Sequence, residues 1–341
     1  MIRIVLDAMG SDTHPDPEID AAVQAARQWG DPVLLAGPEQ ILRPRLATTE
    51  VGSDQVVVVH APEVLEMTDK PADTARGKAR SSMAVGMDLL KTGEADAFVT
   101  AGNTGGAMAN ALFRLGRIRG VKRPALTGVF PVRNGQAVLL DIGANADCKP
   151  EYLLQFAILG SLYAETVFGW PSPRVALISN GEEAGKGNML VKEAFPLLQG
   201  AGLNFVGNIE PKEFFAGEAD VAVCDGFTGN VLLKTSEAVA GFLIAIIREQ
   251  IKAGPLTSIG GLLAKPAFQR VGVTLDSSEY GAAPLLGVDG LVFVGHGRSN
   301  AKALVSAIRV ARQAVSGGLL PAMRREILRR LTEAGGVPVA T

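Results

Sequence analysis

"FVTAGNTGGAMANAL", residues 98–112, passes from an apolar run through Gly102-Asn103-Thr104-Gly105-Gly106 into a segment of helical character. A strand that turns through small residues straight into a helix is the repeating unit of an α/β fold. Such a turn also gathers unpaired backbone N–H groups and the positive end of a helix dipole, which suits an anion. Working outward, further apolar runs recur: "IRIVL" at 2, "PVLLAG" at 32, "QVVVVH" at 55, "DAFVTA" at 96, "AVLLD" at 137, "RVALIS" at 174, "LNFVG" at 203, "DVAVCD" at 220 and "GLVFVG" at 290. Most lack alternation, as expected of strands buried on both faces. Helical patterns separate them, among them "ADTARGKARSSMAVGMDLLKTG", "CKPEYLLQFAILGSLYAETVF" and "GNVLLKTSEAVAGFLIAIIREQIK". The alternation predicts an α/β chain, a three-layer α/β/α sandwich with much parallel pairing. It forms one continuous fold over 1–341 that leaves room for two lobes, with an amphipathic helical hairpin near 238–268.

The 341 residues suffice for a large core. A formal net charge of −2 gives no general attraction to nucleic acid or to an anionic membrane, so electrostatic recognition has to be local. Cys148 and Cys224 are too few and too far apart for a disulfide framework or a zinc site, which fits a reducing compartment. Asp7 interrupts the N-terminal apolar run where a signal peptide needs one, so a cytoplasmic location is expected. The most apolar stretches, at 241–247 and 254–264, fall short of the ~20 residues that span a bilayer, so no transmembrane helix is expected.

Loops after the strands are rich in Gly, Asp, Asn and charge: "DAMGSD" at 7, "TAGNTGG" at 100, "DIGANADCKP" at 141, "SNGEEAGKGN" at 179, "NIE" at 208, "DGFTGN" at 225 and "GHGRSN" at 295. Ligands of open α/β sheets bind outside the carboxyl ends of strands, so the seven are expected to converge on one cleft. "GEEAGKG" at 181 is one residue short of a Walker loop, and Gly187 stands where Ser or Thr would hold magnesium. "GHGRSN" lacks the third glycine of a dinucleotide fingerprint. Neither a Gly-x-Ser-x-Gly elbow nor a His-Glu-x-x-His pair occurs, and no metal site is expected. His296, between two glycines at a helix start, suits a neutral hydrogen-bonding imidazole. What remains is a set of neutral donors with Lys149, Lys186 and a few acids. That set fits a small oxyanion such as phosphate, which needs only positioning and an oxyanion-stabilising partner to attack a carbonyl.

Eight segments carry a resemblance over essentially the whole chain: "LDAMGSD", "RSSM", "TAGNTGGAMA", "LDIGANADCKPEYLLQFA", "NGEEAGKGN", "DVAVCDGFTGNVLLKT", "YGAAPLLGVDG" and "GHGRSNAKA". The chain resembles the bacterial acyl-(acyl-carrier-protein):phosphate acyltransferases of phospholipid synthesis, with Ser11 where that family usually has a second glycine. The resemblance implies an isocitrate/isopropylmalate dehydrogenase-like fold used without a cofactor, in a homodimer. It implies transfer of a long fatty acyl chain from acyl carrier protein to inorganic phosphate, the acyl phosphate then serving a membrane glycerol 3-phosphate acyltransferase. A coenzyme A-dependent phosphate acyltransferase and a nicotinamide-dependent dehydrogenase of the same fold stay open as alternatives.

On this reading Gly102, Asn103, Thr104 and Gly105 bind phosphate, with Lys186 neutralising charge. Asn145, Asp225 and Asn230 orient phosphate or the pantetheine carbonyl, Asn300 is a further substrate-binding residue, and His296 donates to the oxyanion or protonates the leaving thiolate. Acyl carrier protein is acidic, so Arg114, Arg117, Arg119, Lys122 and Arg123 form the expected dock. Leu256, Ile259, Leu262 and Leu263 form the expected contact of a peripheral membrane protein.

Overall fold

The computed structural model describes residues 1–70, 77–133, 135–275 and 281–333; residues 72–76 of the helical pattern ending at Gly93 lie outside them. Eleven strands of the described residues form one sheet in the order β3-β2-β1-β4-β11-β10-β5-β6-β9-β7-β8. They are β1 Ile4–Asp7, β2 Val33–Gly37, β3 Val56–His60, β4 Ala97–Thr100, β5 Ala125–Val132, β6 Gly135–Leu140, β7 Val175–Ile178, β8 Phe205–Ile209, β9 Val221–Val223, β10 Ala283–Leu286 and β11 Val292–Val294. The helices are α1 Asp16–Trp29, α2 Glu39–Leu46, α3 Ser82–Thr92, α4 Thr104–Arg114, α5 Pro150–Tyr163, α6 Met189–Gln199, α7 Pro211–Ala216, α8 Gly226–Lys252, α9 Pro255–Leu275, α10 Ala301–Ser316 and α11 Leu319–Glu333.

The nine apolar runs all become strands, but β5 and β10 were not among them, and these two make the seam. Strands β3, β2, β1, β4 and β11 are mutually parallel, as are β6, β9, β7 and β8. β10 runs antiparallel to both β11 and β5, and β5 antiparallel to β6, so the two parallel sets run in opposite directions. Following the register across the seam, Thr100 pairs with Val294, Val294 with Ala283, Leu285 with Leu126, and Thr127 with Leu140. The carboxyl ends of the two sets therefore lie within about one residue rise, ~3.3 Å, of each other along the strands. From there they leave the sheet in opposite directions.

Helices cover both faces. On one, α1, α5, α10 and α11 pack on a continuous core across the whole sheet, including Phe156, Leu159, Tyr163 and Ile308. On the other, the core is divided: Met83, Met87 and Phe98 belong to one cluster, and Phe130, Phe214 and Ile209 to another. That division coincides with the seam and opens a groove there.

The helical hairpin is longer than the sequence suggested. α8 and α9 project from the body, leaving Phe242, Leu243, Ile247, Leu256, Ile259, Leu262 and Leu263 exposed. By length and composition α8 is able to cross a bilayer, and none of its apolar window is buried. This corrects the expectation that no stretch was long enough. Counting unbroken apolar letters stops at Arg248, whereas a helix sums over interspersed Ala, Gly, Thr and Ser. The first turns of α8 nevertheless belong to the body, where they wall the groove.

Candidate active site

The groove is a cavity of about 400 Å³, floored by Leu126–Phe130 of β5 and Ala283 and Leu285 of β10. Thr104, Gly105 and Met108 of α4 form one wall; Asn230, Leu233, Lys234 and Glu237 of α8 form the other. Ile142, Gly143 and Ala144 enter from the loop after β6, and Val294 at the end of β11 with Gly295 and His296 from the loop after it. α8 starts at the far carboxyl end, after β9, and runs back antiparallel to that strand. Its residues spaced three, four and seven apart share one side, which brings Lys234 and Glu237 opposite α4.

The loops do not all converge. The 179–188 loop and the 208–210 turn follow β7 and β8, which lie farthest from the seam in the sheet order, and none of their residues lines the groove, whereas the loop after β6, beside the seam, does. Lys186 is exposed on the former and does not line the cavity. Of the ten catalytic and substrate residues predicted, Thr104, Gly105, Asn230 and His296 line the cavity; Gly102, Asn103, Asn145, Lys186, Asp225 and Asn300 do not.

Several of these side chains are committed to holding loops. Asn103 caps α4 by accepting from the Gly106 N–H at 2.9 Å, and its Nδ2 donates to the carbonyls of Met67 and Asp69, both at 3.0 Å. The Gly102 N–H donates to Thr100 Oγ1 at 2.9 Å, and that hydroxyl donates to buried Asp7 at 2.7 Å. Asn103 and Gly102 are therefore scaffold rather than free donors. The first-turn N–H groups of Thr104 and Gly105 have no intrahelical partner, and both residues line the groove. Asn300 caps α10 through the Ala303 N–H at 3.0 Å. Asp225 caps α8, accepting from the Thr228 N–H and Oγ1, each at 2.8 Å.

Asp141 organises the loop after β6. Its carboxylate accepts from the N–H groups of Leu126, Gly143, Ala144 and Asn145 and from Asn145 Nδ2. Burial still leaves its carboxyl above the usual range, with these hydrogen bonds opposing that rise. Asn145 also donates to Pro124 O at 2.7 Å, and Asn230 Nδ2 donates to Ile142 O at 3.1 Å. α8 approaches this loop closely because Gly226 and Gly229 carry no side chain. A Cβ on Gly229 would lie 1.9 Å from Asp141 O, and one on Gly226 2.6 Å from Asn145 O.

Two groove residues were missed by sequence reasoning. Lys234 Nζ lies 3.0 Å from Glu237 Oε2, and His296 Nε2 lies 3.8 Å from Glu237 Oε1. Burial holds the His296 imidazole below its ordinary value; Glu237 pulls it up, and Lys234 and Arg298 push it further down. The ring is thus neutral near pH 7. The signal for the pair was present: two opposite charges on the same side of an otherwise apolar helix as Asn230. Burial, aided by Asp141, pushes the Cys148 thiol up to about 12, and burial raises Cys224 well above its usual value. Neither offers a thiolate nucleophile at neutral pH. Among the described residues no cluster of His, Cys, Asp and Glu suits a metal ion.

The expected dock is partly spent as well. Arg114 is largely buried against Asp88 and donates to Ala79 O, and Arg117 donates to Lys122 O. Arg119, Lys122 and Arg123 remain exposed on a segment tied to the β6 loop through Pro124.

The arrangement is an anion-accepting helix start beside an apolar floor and a Lys, Glu and His cluster, which suits acyl transfer to a small oxyanion. The family model for "Fatty acid synthesis protein" matches residues 2–321. The phosphate acyltransferase of Pelotomaculum thermopropionicum is 50% identical, spanning 96% of this chain and 95% of that protein. That of Desulfitobacterium hafniense is 45% identical, over 96% and 98%. Among solved structures, EutD phosphotransacetylase from Staphylococcus aureus superposes with a TM-score of 0.60 at 18% identity, over 93% of this chain and 94% of that one. A 4-hydroxythreonine-4-phosphate dehydrogenase from Klebsiella pneumoniae does so at 0.55 and 14%, over 92% and 99%. At such identities the solved structures speak to the fold alone, and they bear out the expected dehydrogenase-like architecture. The chain belongs to the fatty acid synthesis protein family and, with its phosphate acyltransferase relatives, is an acyltransferase of fatty acid and phospholipid synthesis.

Proposed function

We propose that the enzyme transfers a long-chain acyl group from the phosphopantetheine thioester of acyl carrier protein to inorganic phosphate, releasing acyl phosphate and the free carrier thiol. The observation that carries this reading is the α4 N-terminus, whose first residues Thr104 and Gly105 line a groove floored by Leu126, Val129, Phe130 and Leu285. Phosphate sits at the helix start, where the dipole and the two N–H groups favour negative charge. The thioester carbonyl lies beside it over the apolar floor, and the acyl chain follows that floor. The departing thiol, with a pKa of about 8.5, is a good leaving group. Asp141, Asn145, Asp225 and Asn230 fix the β6 loop against α8, and so shape the groove.

Carrier protein docks through Arg119, Lys122 and Arg123. A double variant, Arg119→Glu with Arg123→Glu, is expected to raise KM for acyl carrier protein about tenfold at low salt and to flatten its salt dependence. KM for acyl-coenzyme A should stay within twofold. If acyl-coenzyme A proves the better substrate of wild-type enzyme, and the variant leaves both constants alone, the carrier assignment fails and the coenzyme A-dependent alternative stands.

The hairpin tip supports a peripheral membrane contact, consistent with handing an amphiphilic product to a membrane acyltransferase. Leu256 and Leu263 are 83% and 78% exposed, more than an unassociated surface would ordinarily leave in one patch. Leu262→Glu should abolish flotation with anionic liposomes while turnover on soluble substrate is kept. Unaltered flotation would remove the tip from the account. The homodimer is likewise part of this proposal.

A further inference from the structure

Lys234 and Glu237 form a cluster with His296 across the groove, and the assignments above leave these two without a role. Lys234 and Glu237 project from α8 into a cavity whose other polar wall is the α4 N-terminus. His296 reaches the same space from the loop after β11, with its Nε2 toward Glu237 at 3.8 Å. Such separations shorten when a reacting complex forms. A carboxylate facing Nε2 favours the tautomer that carries its proton there, which leaves Nδ1 as the acceptor.

We propose, resting on the phosphate acyltransfer reading above, that Lys234 is a phosphate-binding residue and that Glu237 is the positioning residue that makes His296 Nδ1 the proton carrier. The step balances without an outside acid or base. A phosphate oxygen bonds to the thioester carbonyl carbon and the C–S bond breaks. The proton of the attacking hydrogen phosphate passes to Nδ1 and from there to the departing sulfur, which leaves as thiol while the imidazole returns to its neutral form. Lys234 meets the negative charge of phosphate opposite the Thr104 and Gly105 N–H groups. Its bond to Glu237 keeps the carboxylate turned toward the ring.

The charged groups around His296 are Lys234 and Glu237 from α8, Arg298 from its own loop, and Asp12, whose N–H donates to Gly297 O at 2.7 Å. Removing the negative neighbour and removing the positive one must therefore move the imidazole in opposite directions.

The test is a pH profile of kcat/KM for acyl phosphate formation from acyl carrier protein and inorganic phosphate, in wild type, Glu237→Gln, Lys234→Ala and Lys234→Arg. Glu237→Gln is expected to lower kcat about tenfold or more with KM for phosphate little changed, and to shift the acid limb to lower pH. Lys234→Ala is expected to raise KM for phosphate about tenfold or more and to shift the acid limb to higher pH. Lys234→Arg should restore most of the phosphate affinity. Active wild type whose two charge-removing variants shift the limb the same way, or not at all, overturns the proposal alone. Wild-type enzyme that forms no acyl phosphate overturns the reading beneath it.

Discussion

Replacing His296 with alanine is expected to lower kcat about 10²-fold or more, the contribution of a positioned proton carrier. KM for the acyl donor should change little, because the apolar floor that holds it is untouched. The imidazole is half exposed and stands 3.8 Å from Glu237, so the melting temperature should be little affected. Steady-state kinetics beside a thermal melt separates the two effects. Turnover within twofold of wild type would remove His296 from the chemistry.

The second large effect is structural and lies at Gly229. The α8 backbone runs so close to the β6 loop that a Cβ there would sit 1.9 Å from the Asp141 carbonyl oxygen and 3.1 Å from Cys224 Sγ. A backbone carbonyl cannot rotate aside as a long side chain can. Overpacking of this kind costs about 1–3 kcal/mol, and Gly229→Ala is expected at the upper end. The melting temperature should fall by about 4 °C. Turnover should fall with it, because the displaced helix carries Asn230, Lys234 and Glu237. Gly241, further along the same helix, has nothing within 4 Å of an added Cβ. There the same change should be neutral or stabilising by up to about 1 kcal/mol through helix propensity. Equal melting temperatures for the two variants would show that α8 does not depend on that close approach.

What the sequence made legible, and what it hid, follows from which physical signals are local. Unbroken Val, Ile and Leu runs marked nine strands because strands covered on both faces have no polar side to show. β5, with Gly128 and Pro131, and β10, with Pro284, carry breakers that blur the pattern, so the two strands that reverse the sheet stayed invisible. Without the strand order, which puts β7 and β8 at the far edge, every glycine-rich loop seemed to point into one cleft. Thr104, Gly105 and His296 were found because a helix start announces itself through its neighbours. Asn103, Asp225 and Asn300 have the residue types of both caps and anion ligands, and only the bonds to Gly106, Thr228 and Ala303 show them as caps. Lys234 and Glu237 were passed over because the helix around them reads as apolar, although their spacing from Asn230 placed all three on one side.

The central claim is that the seam groove joins an acyl thioester to inorganic phosphate. The most direct measurement incubates the purified chain with palmitoyl-acyl carrier protein and labelled phosphate, and traps the product with hydroxylamine. The account predicts labelled acyl phosphate in the reaction run without the trap and, with it, acyl hydroxamate above the direct thioester background that requires both enzyme and inorganic phosphate, each formed without added nicotinamide and lost in His296→Ala. Folded wild-type protein that forms neither, while the carrier keeps its acyl chain, would contradict it.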